Sequence, residues 1–267
     1  MAFATGLGVG ALSALAGIGG GSLMVPVLYL LYATTDVSLS AQTVVAHATS
    51  LGVAFVTASV GTWRYARARA IHWRAAATYA IPGILSAFVT ARLLTGASEV
   101  HWARVAFAAF LLLTALDMGR RARNSTGDGT EARPEQSWIW LALIGVVGGG
   151  IASLLGIGGG LIAVPVLLYV GRLPVKSVAP TALAGVCLTT LSGALGYLTA
   201  GDAPVVSPMM VGYLDLRMAI PLSLGAALTV PLGVRVNRQS SPKQLFGIFA
   251  VVFAVLGLWV LVDWLRR

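Results

Sequence analysis

Two stretches of this 267-residue chain decide its architecture: Gly17–Leu28, GIGGGSLMVPVL, and Gly156–Leu167, GIGGGLIAVPVL. In each, a glycine cluster is followed by a proline (Pro26, Pro165) inside an apolar run. The likeness continues downstream. Thr49 and Leu51 align with Thr181 and Leu183, and Gly61 and Tyr65 with Gly193 and Tyr197. After a longer loop in the second copy, Arg74, Arg92 and Ser98 align with Arg217, Arg235 and Ser241. An internal repeat of this kind marks a duplicated chain. Its halves are residues 1–120 and 137–267, joined by a polar linker, 121–136, that holds Gly, Pro and charges of both signs.

The surroundings of the glycine clusters identify the solvent. Of all residues 57% are hydrophobic and 10% charged, where a soluble domain carries about 25% charged residues. No Asp, Glu, Lys or Arg occurs from Ala2 to Ala33, Val37 to Trp63, Gln136 to Gly171 or Ser177 to Gly201. A bilayer-spanning helix needs about 20 apolar residues, so the sequence predicts an all-α polytopic membrane protein whose main partner is the lipid bilayer. The net charge of +9 then reads as Arg-rich loops that orient the chain, not as a nucleic-acid surface. One cysteine, Cys187, excludes an internal disulfide and zinc or iron–sulfur ligand spacing, and its apolar setting makes it a packing residue. No metal or cofactor is called for. The N-terminus lacks the basic start of a signal peptide and is read as part of the mature fold.

Each half offers a long apolar stretch broken by the glycine cluster and then three apolar segments, roughly 40–62, 75–95 and 101–118, and 177–200, 213–234 and 243–264. As one helix the first stretch would run about 45 Å, against a hydrocarbon core of about 30 Å. Each glycine inside a helix costs about 1 kcal/mol relative to Ala. A break is therefore expected, giving two short helices that turn near mid-membrane; one long, tilted, kinked span is the alternative. The basic residues choose between them. A single crossing gives parallel halves and divides the 18 Lys and Arg 11 to 7 between the two sides. A stretch that turns back, or crosses twice, gives inverted halves and a division of 13 to 5. The positive-inside rule favours inverted repeats, with the Arg64–Arg74 and 121–136 segments cytoplasmic and both termini outside.

Inverted repeats with broken helices are the architecture of many secondary transporters. A turn without side chains exposes amides, and the helix after it begins with unpaired N–H groups and a positive dipole end. Gly17, Gly19, Gly20, Gly21 and Ser22, with Gly156, Gly158, Gly159 and Gly160, would bind a small anion without burying a full positive charge. Close helix packing is the competing use of such glycines.

With A-H-A-T-S-L after the first glycine motif and A-P-T-A-L after the second, the chain resembles the sulfite exporter TauE/SafE family, also called the 4-toluenesulfonate uptake permease family. The resemblance covers both halves in order. It implies a bacterial or archaeal inner-membrane transporter of sulfite, sulfoacetate or other sulfur-containing anions. The family's T-S-L element maps to Thr49–Leu51 and departs to T-A-L at Thr181–Leu183, where Ala182 lacks the hydroxyl.

Thr49, Ser50 and Thr181 could donate hydroxyl hydrogen bonds to the anion, or bond their own helix backbone. His47 is the one ionisable group between Val37 and Trp63, which makes it a candidate for proton coupling; a neutral histidine bonded between helices is the alternative. Asp117, Asp215 and Asp263 fall near span ends and are expected in solvent. His72, His101, Trp63, Trp73, Trp102, Trp138 and Trp140 are expected at the membrane interfaces. No P-loop is present, so an ion gradient or the substrate's own gradient would drive transport. A passive anion channel is the alternative function. An enzyme is disfavoured, since His47 and Ser50 lie i, i+3 but no G-x-S-x-G elbow occurs.

Overall fold

The computed structural model describes residues 2–32, 39–93, 101–124, 137–201, 203 and 206–266. Ten helices follow in chain order among the described residues: α1 Ala2–Ala16, α2 Gly21–Tyr32, α3 Leu39–Arg67, α4 Trp73–Leu93, α5 His101–Asn124, α6 Trp138–Leu154, α7 Gly160–Tyr169, α8 Val175–Leu198, α9 Leu216–Gln239 and α10 Pro242–Arg266. Two short strands, β1 Met210–Val211 and β2 Leu214–Asp215, pair antiparallel just before α9. α5 continues four residues into the stretch read as linker; 125–136 lie outside the described residues.

The expected break is present in both copies. α1 has 15 residues and α2 has 12, so they reach about 22 and 18 Å, too short to cross a hydrocarbon core alone. α3, α4, α8, α9 and α10 are long and apolar enough to cross. Outward-facing side chains are apolar: Leu30 and Ile139 are each 75% exposed, and Leu85 and Val251 lie bare beside them in kind. Surfaces of this character are stable only against lipid, and the chain is a multi-pass membrane protein.

Neighbouring contacts give the helix directions. α3 and α8 cross antiparallel at the centre: a Cβ on Gly61 would lie 3.1 Å from Leu183, and one on Gly193 3.1 Å from Leu51. α9 runs parallel to α3, with Asp215 beside Thr49 and Val230 beside Gly61. α1 lies parallel to α9, Gly6 against Leu222, Gly10 against Thr229, and Leu15 accepting from Asn237. α2 runs the other way, with Gly20 at Thr57 and Tyr29 at His47. α1 and α2 therefore form a hairpin whose arms return toward one end of the bundle, in place of one long kinked helix.

Packing is exchanged between the copies. α1 packs on α9 while α6 packs on α4, α3 meets α9 while α8 meets α4, and α5 pairs with α10. Small residues allow this approach, as in membrane helix pairs generally: Gly145 and Gly149 of α6 sit on the backbone of Tyr79 and Gly83 in α4. The helix directions gather Arg64, Arg67, Arg74, Arg120, Arg121, Arg123, Arg172, Lys176, Arg235, Arg238 and Lys243 at one end. Tryptophans flank that end. Trp63 and Trp73 are exposed, Arg67 lies 3.9 Å from the Trp63 ring centroid, and Arg74 lies 4.4 Å from that of Trp138. Trp140 is exposed as well. The side chains of His101, Trp102 and Asp263 fall outside the described residues.

Candidate functional site

The two glycine turns meet at the centre of the bundle. Gly17, Gly19 and Gly20 have φ of +73°, +74° and +85°, and Gly156, Gly158 and Gly159 have +66°, +74° and +82°. This left-handed backbone is available to glycine at little steric cost, and it is why the clusters break the helix. The turns are closed alike. Ile18 N–H donates to Ser13 O at 3.1 Å and Ile157 N–H to Ala152 O at 3.0 Å. Leu23 and Met24 donate to Gly20 O, and Ile162 and Ala163 to Gly159 O.

The amides left over are those of Gly19, Gly20, Gly21 and Ser22, and of Gly158, Gly159, Gly160 and Leu161, which have no acceptor among the described residues. All eight residues are buried. Buried amides without partners are rare in folded proteins, and at a helix N-terminus they favour negative charge. Thr57 fixes the first turn by donating to Gly19 O at 2.8 Å. Because the peptide is trans, this turns Gly20 N–H to the opposite side.

Other glycines of the clusters serve contact. A Cβ at Gly17 would lie 2.5 Å from Ala179 Cα, and one at Gly156 2.6 Å from His47 Cα. A Cβ at Gly21 would meet Ile157 and Gly156 backbone at 2.9–3.0 Å. A Cβ at Gly160 would meet the Ile18 carbonyl at 2.5 Å. At Gly20 and Gly159 there is more room: Thr57 Oγ1 at 3.0 Å and Ser13 Oγ at 3.4 Å in one, Ala152 Cβ at 3.4 Å and Thr189 Oγ1 at 3.5 Å in the other. Gly17 and Gly156 therefore serve packing, Gly20 and Gly159 keep room beside their amides, and Gly21 and Gly160 do both.

The hydroxyls singled out from the sequence take other partners. Ser50 donates to His47 O at 2.8 Å and also contacts Gly156 O, so it clamps α3 to the second turn. Thr49 Oγ1 accepts from Asp215 N–H at 3.0 Å, and Thr181 Oγ1 accepts from His72 N–H at 3.1 Å. Each threonine therefore receives the amide just ahead of the other copy's fourth helix, α9 or α4. His47 is 7% exposed, and its Nε2 lies 2.7 Å from Tyr29 Oη. Cys187 is half-buried, 3.2 Å from Ser59 Oγ.

Asp215 overturns its expectation: it is fully buried, not solvated. The longer loop of the second copy and the β1–β2 pair cover it. Its carboxylate accepts from Tyr32 Oη at 3.0 Å, Ser207 Oγ at 2.7 Å and Arg217 N–H at 3.0 Å, capping α9. Asp117 does remain half-exposed and accepts from Arg121 Nε and Tyr169 Oη, each at 2.7 Å. Ser13 and Thr57, which stand beside the first turn, and Tyr29, which faces His47, were not singled out from the sequence. Ser13 is one of two serines, with Ser22, in the charge-free stretch Ala2–Ala33.

The chain matches the family described as "Sulfite exporter TauE/SafE" over residues 2–260. It is 27% identical to a "Probable membrane transporter protein" of Methanocaldococcus jannaschii, covering 95% of this chain and 91% of the relative. Against the "Probable membrane transporter protein YunE" of Bacillus subtilis the identity is 26%, over 94% and 93%. Against a "Probable membrane transporter protein" of Haemophilus influenzae it is 27%, over 92% of each. No solved structure matches. These names describe transporters rather than enzymes, and the match runs nearly end to end: the chain is a membrane transporter and belongs to the sulfite exporter TauE/SafE family.

Proposed function

We propose that the protein is a secondary transporter that exports a small sulfur-containing anion, sulfite or an organosulfonate, across the inner membrane of a bacterium or archaeon. One observation carries this reading: eight amides of buried residues, without acceptors among the described residues, on two glycine turns in contact at the bundle centre. The repeats, 1–120 and 137–267, act as inverted halves that rock about the anion in alternating access. The antiparallel crossing of α3 and α8 and the collection of basic residues at one end support that arrangement. His47 is the proposed carrier of a coupling proton, within reach of Tyr29.

Counterflow in liposomes tests the proposal. Vesicles loaded with unlabelled sulfite should accumulate external radiolabelled sulfite transiently, and uptake should saturate. Flux that neither saturates nor shows counterflow would instead identify a passive channel. No flux of sulfite or of any sulfonate would overturn the substrate class. In the same assay with methanesulfonate, whose charge does not change with pH, His47→Gln should retain anion binding yet flatten the pH dependence of transport between about pH 5 and 8. An unchanged profile would assign His47 to helix packing through Tyr29.

A further inference from the structure

We infer that the two glycine turns are unequal: the anion is seated at the first turn alone, held by the Gly19–Ser22 amides with the Ser13 and Ser22 hydroxyls, and the seat selects a monoanion. This rests on the reading that the turns bind the anion, and it adds which turn and which charge.

The asymmetry lies in side chains placed on a matched backbone. Ser13 and Ser22 are 0% and 2% exposed, and neither Oγ has a hydrogen-bond partner among the described residues. Burying a hydroxyl without a partner is costly, so both positions are under strain until an acceptor arrives. In the second copy the same positions hold Ala152 and Leu161. The substitution is visible in place: Ser13 Oγ lies 3.4 Å from a Cβ built on Gly20, and Ala152 Cβ lies 3.4 Å from one built on Gly159. Thr57 likewise bonds the first turn through Gly19 O, while its counterpart Thr189 bonds its own helix at Gly185 O and Val186 O. The first turn is built with polar side chains around its amides. Around the second turn Ser50 is engaged with His47 O and Gly156 O, and Thr189 with its own helix. The one unpartnered hydroxyl of that copy's turn region, Ser153 Oγ, lies against α8, 2.9 Å from a Cβ built on Gly193, so the Gly158–Leu161 amides have no free hydroxyl beside them among the described residues.

Charge selection follows from what surrounds the seat. α1, α2, α6 and α7 contain no charged residue, and neither do the parts of α3 and α8 that face the turns, from Leu39 to Trp63 and from Ser177 to Leu198. His47 of α3 is the one histidine on these elements; it stands at the second turn, its Cα 2.6 Å from a Cβ built on Gly156, and its Nε2 faces Tyr29 Oη, so the donors supplied at the first turn are neutral. The cost of moving an ion out of water grows with the square of its charge, about fourfold from monoanion to dianion. Amides and hydroxyls alone, buried this deeply, therefore favour hydrogensulfite or a sulfonate over sulfate.

Binding to the purified full chain decides this, with methanesulfonate, sulfite and sulfate as probes. Methanesulfonate, a monoanion throughout, should bind with one site per chain and, in the His47→Gln protein, with an affinity flat in pH. Sulfite affinity should fall as pH rises through its second ionisation, and sulfate should compete weakly. Ser13→Ala and Ser22→Ala should each weaken methanesulfonate about tenfold. Ala152→Ser and Leu161→Ala should change it less than about twofold. Thermal stability without anion separates folding from binding in every variant. Sulfate binding as tight as methanesulfonate would overturn the charge selection. Unchanged binding in both serine variants, with loss in Gly159→Ala, would move the seat to the second turn and overturn this inference while leaving the turns as the site. Binding unaffected by any change at either turn, or absent for all three probes, would overturn the site itself.

Discussion

Gly160→Ala is expected to abolish stable assembly of the protein, and Gly159→Ala, one residue earlier, is not. The Cβ of an alanine at 160 would stand 2.5 Å from the carbonyl carbon and oxygen of Ile18. These are backbone atoms of the opposing turn, with no flexible side chain to swing aside. Relief requires the turns to separate, which undoes the reciprocal contact of Gly21 on Ile157 and Gly156. Inserting a methylene into an adaptable core costs about 1–3 kcal/mol, and a backbone-on-backbone clash exceeds that range. At Gly159 the nearest atoms lie at 3.4 and 3.5 Å, so only the left-handed backbone, at about 1–2 kcal/mol, opposes a side chain. Size-exclusion profiles and thermal melts of the two variants in detergent give the comparison. A Gly160→Ala protein that stays monodisperse with a melting temperature near wild type would refute the turn-on-turn contact.

Asp215→Ala should rank next, costing about 3–5 kcal/mol. It removes the acceptor for Tyr32, Ser207 and the Arg217 amide at once, at a position out of contact with bulk solvent. Loss of the helix cap alone accounts for about 1 kcal/mol. Tyr32→Phe removes a single donor and should cost about 1 kcal/mol, less than a third of the aspartate change. The order of the two melting temperatures is the measurement. A larger loss in Tyr32→Phe than in Asp215→Ala would mean that the carboxylate is not the hub of this cluster.

These two positions also mark where sequence reading succeeded and where it stopped. Gly17–Gly21 and Gly156–Gly160 declared a helix break because glycine clusters act locally, through backbone conformation, and local causes are written in adjacent residues. The arginines gave an expected orientation, since orientation depends on loop charge and not on tertiary contact. Asp215 was misplaced for the opposite reason. Its burial is produced by Tyr32, Thr49 and Ser207, two of them more than 160 residues away, and by a strand pair that no apolar periodicity announces. Thr49 and Thr181 were read as possible anion ligands because their repetition was visible. Their actual partners, the amides of Asp215 and His72, belong in each case to the other copy. Ser13 could be found only once Gly20 stood beside it in space.

The exchange of packing between the copies bears on how the chain is made. Leu7 of α1 accepts from Thr229, 222 residues later, and Leu15 accepts from Asn237, also 222 later. At about 5–20 residues per second of synthesis, α1 leaves the ribosome about 10–45 s before its packing partner exists. During that interval Gly6 and Gly10 offer a groove of bare backbone to lipid, and α4 offers Gly83 in the same way until α6 emerges. The first copy released alone is therefore an unfinished surface, and completion of the bundle is set by the last helices translated.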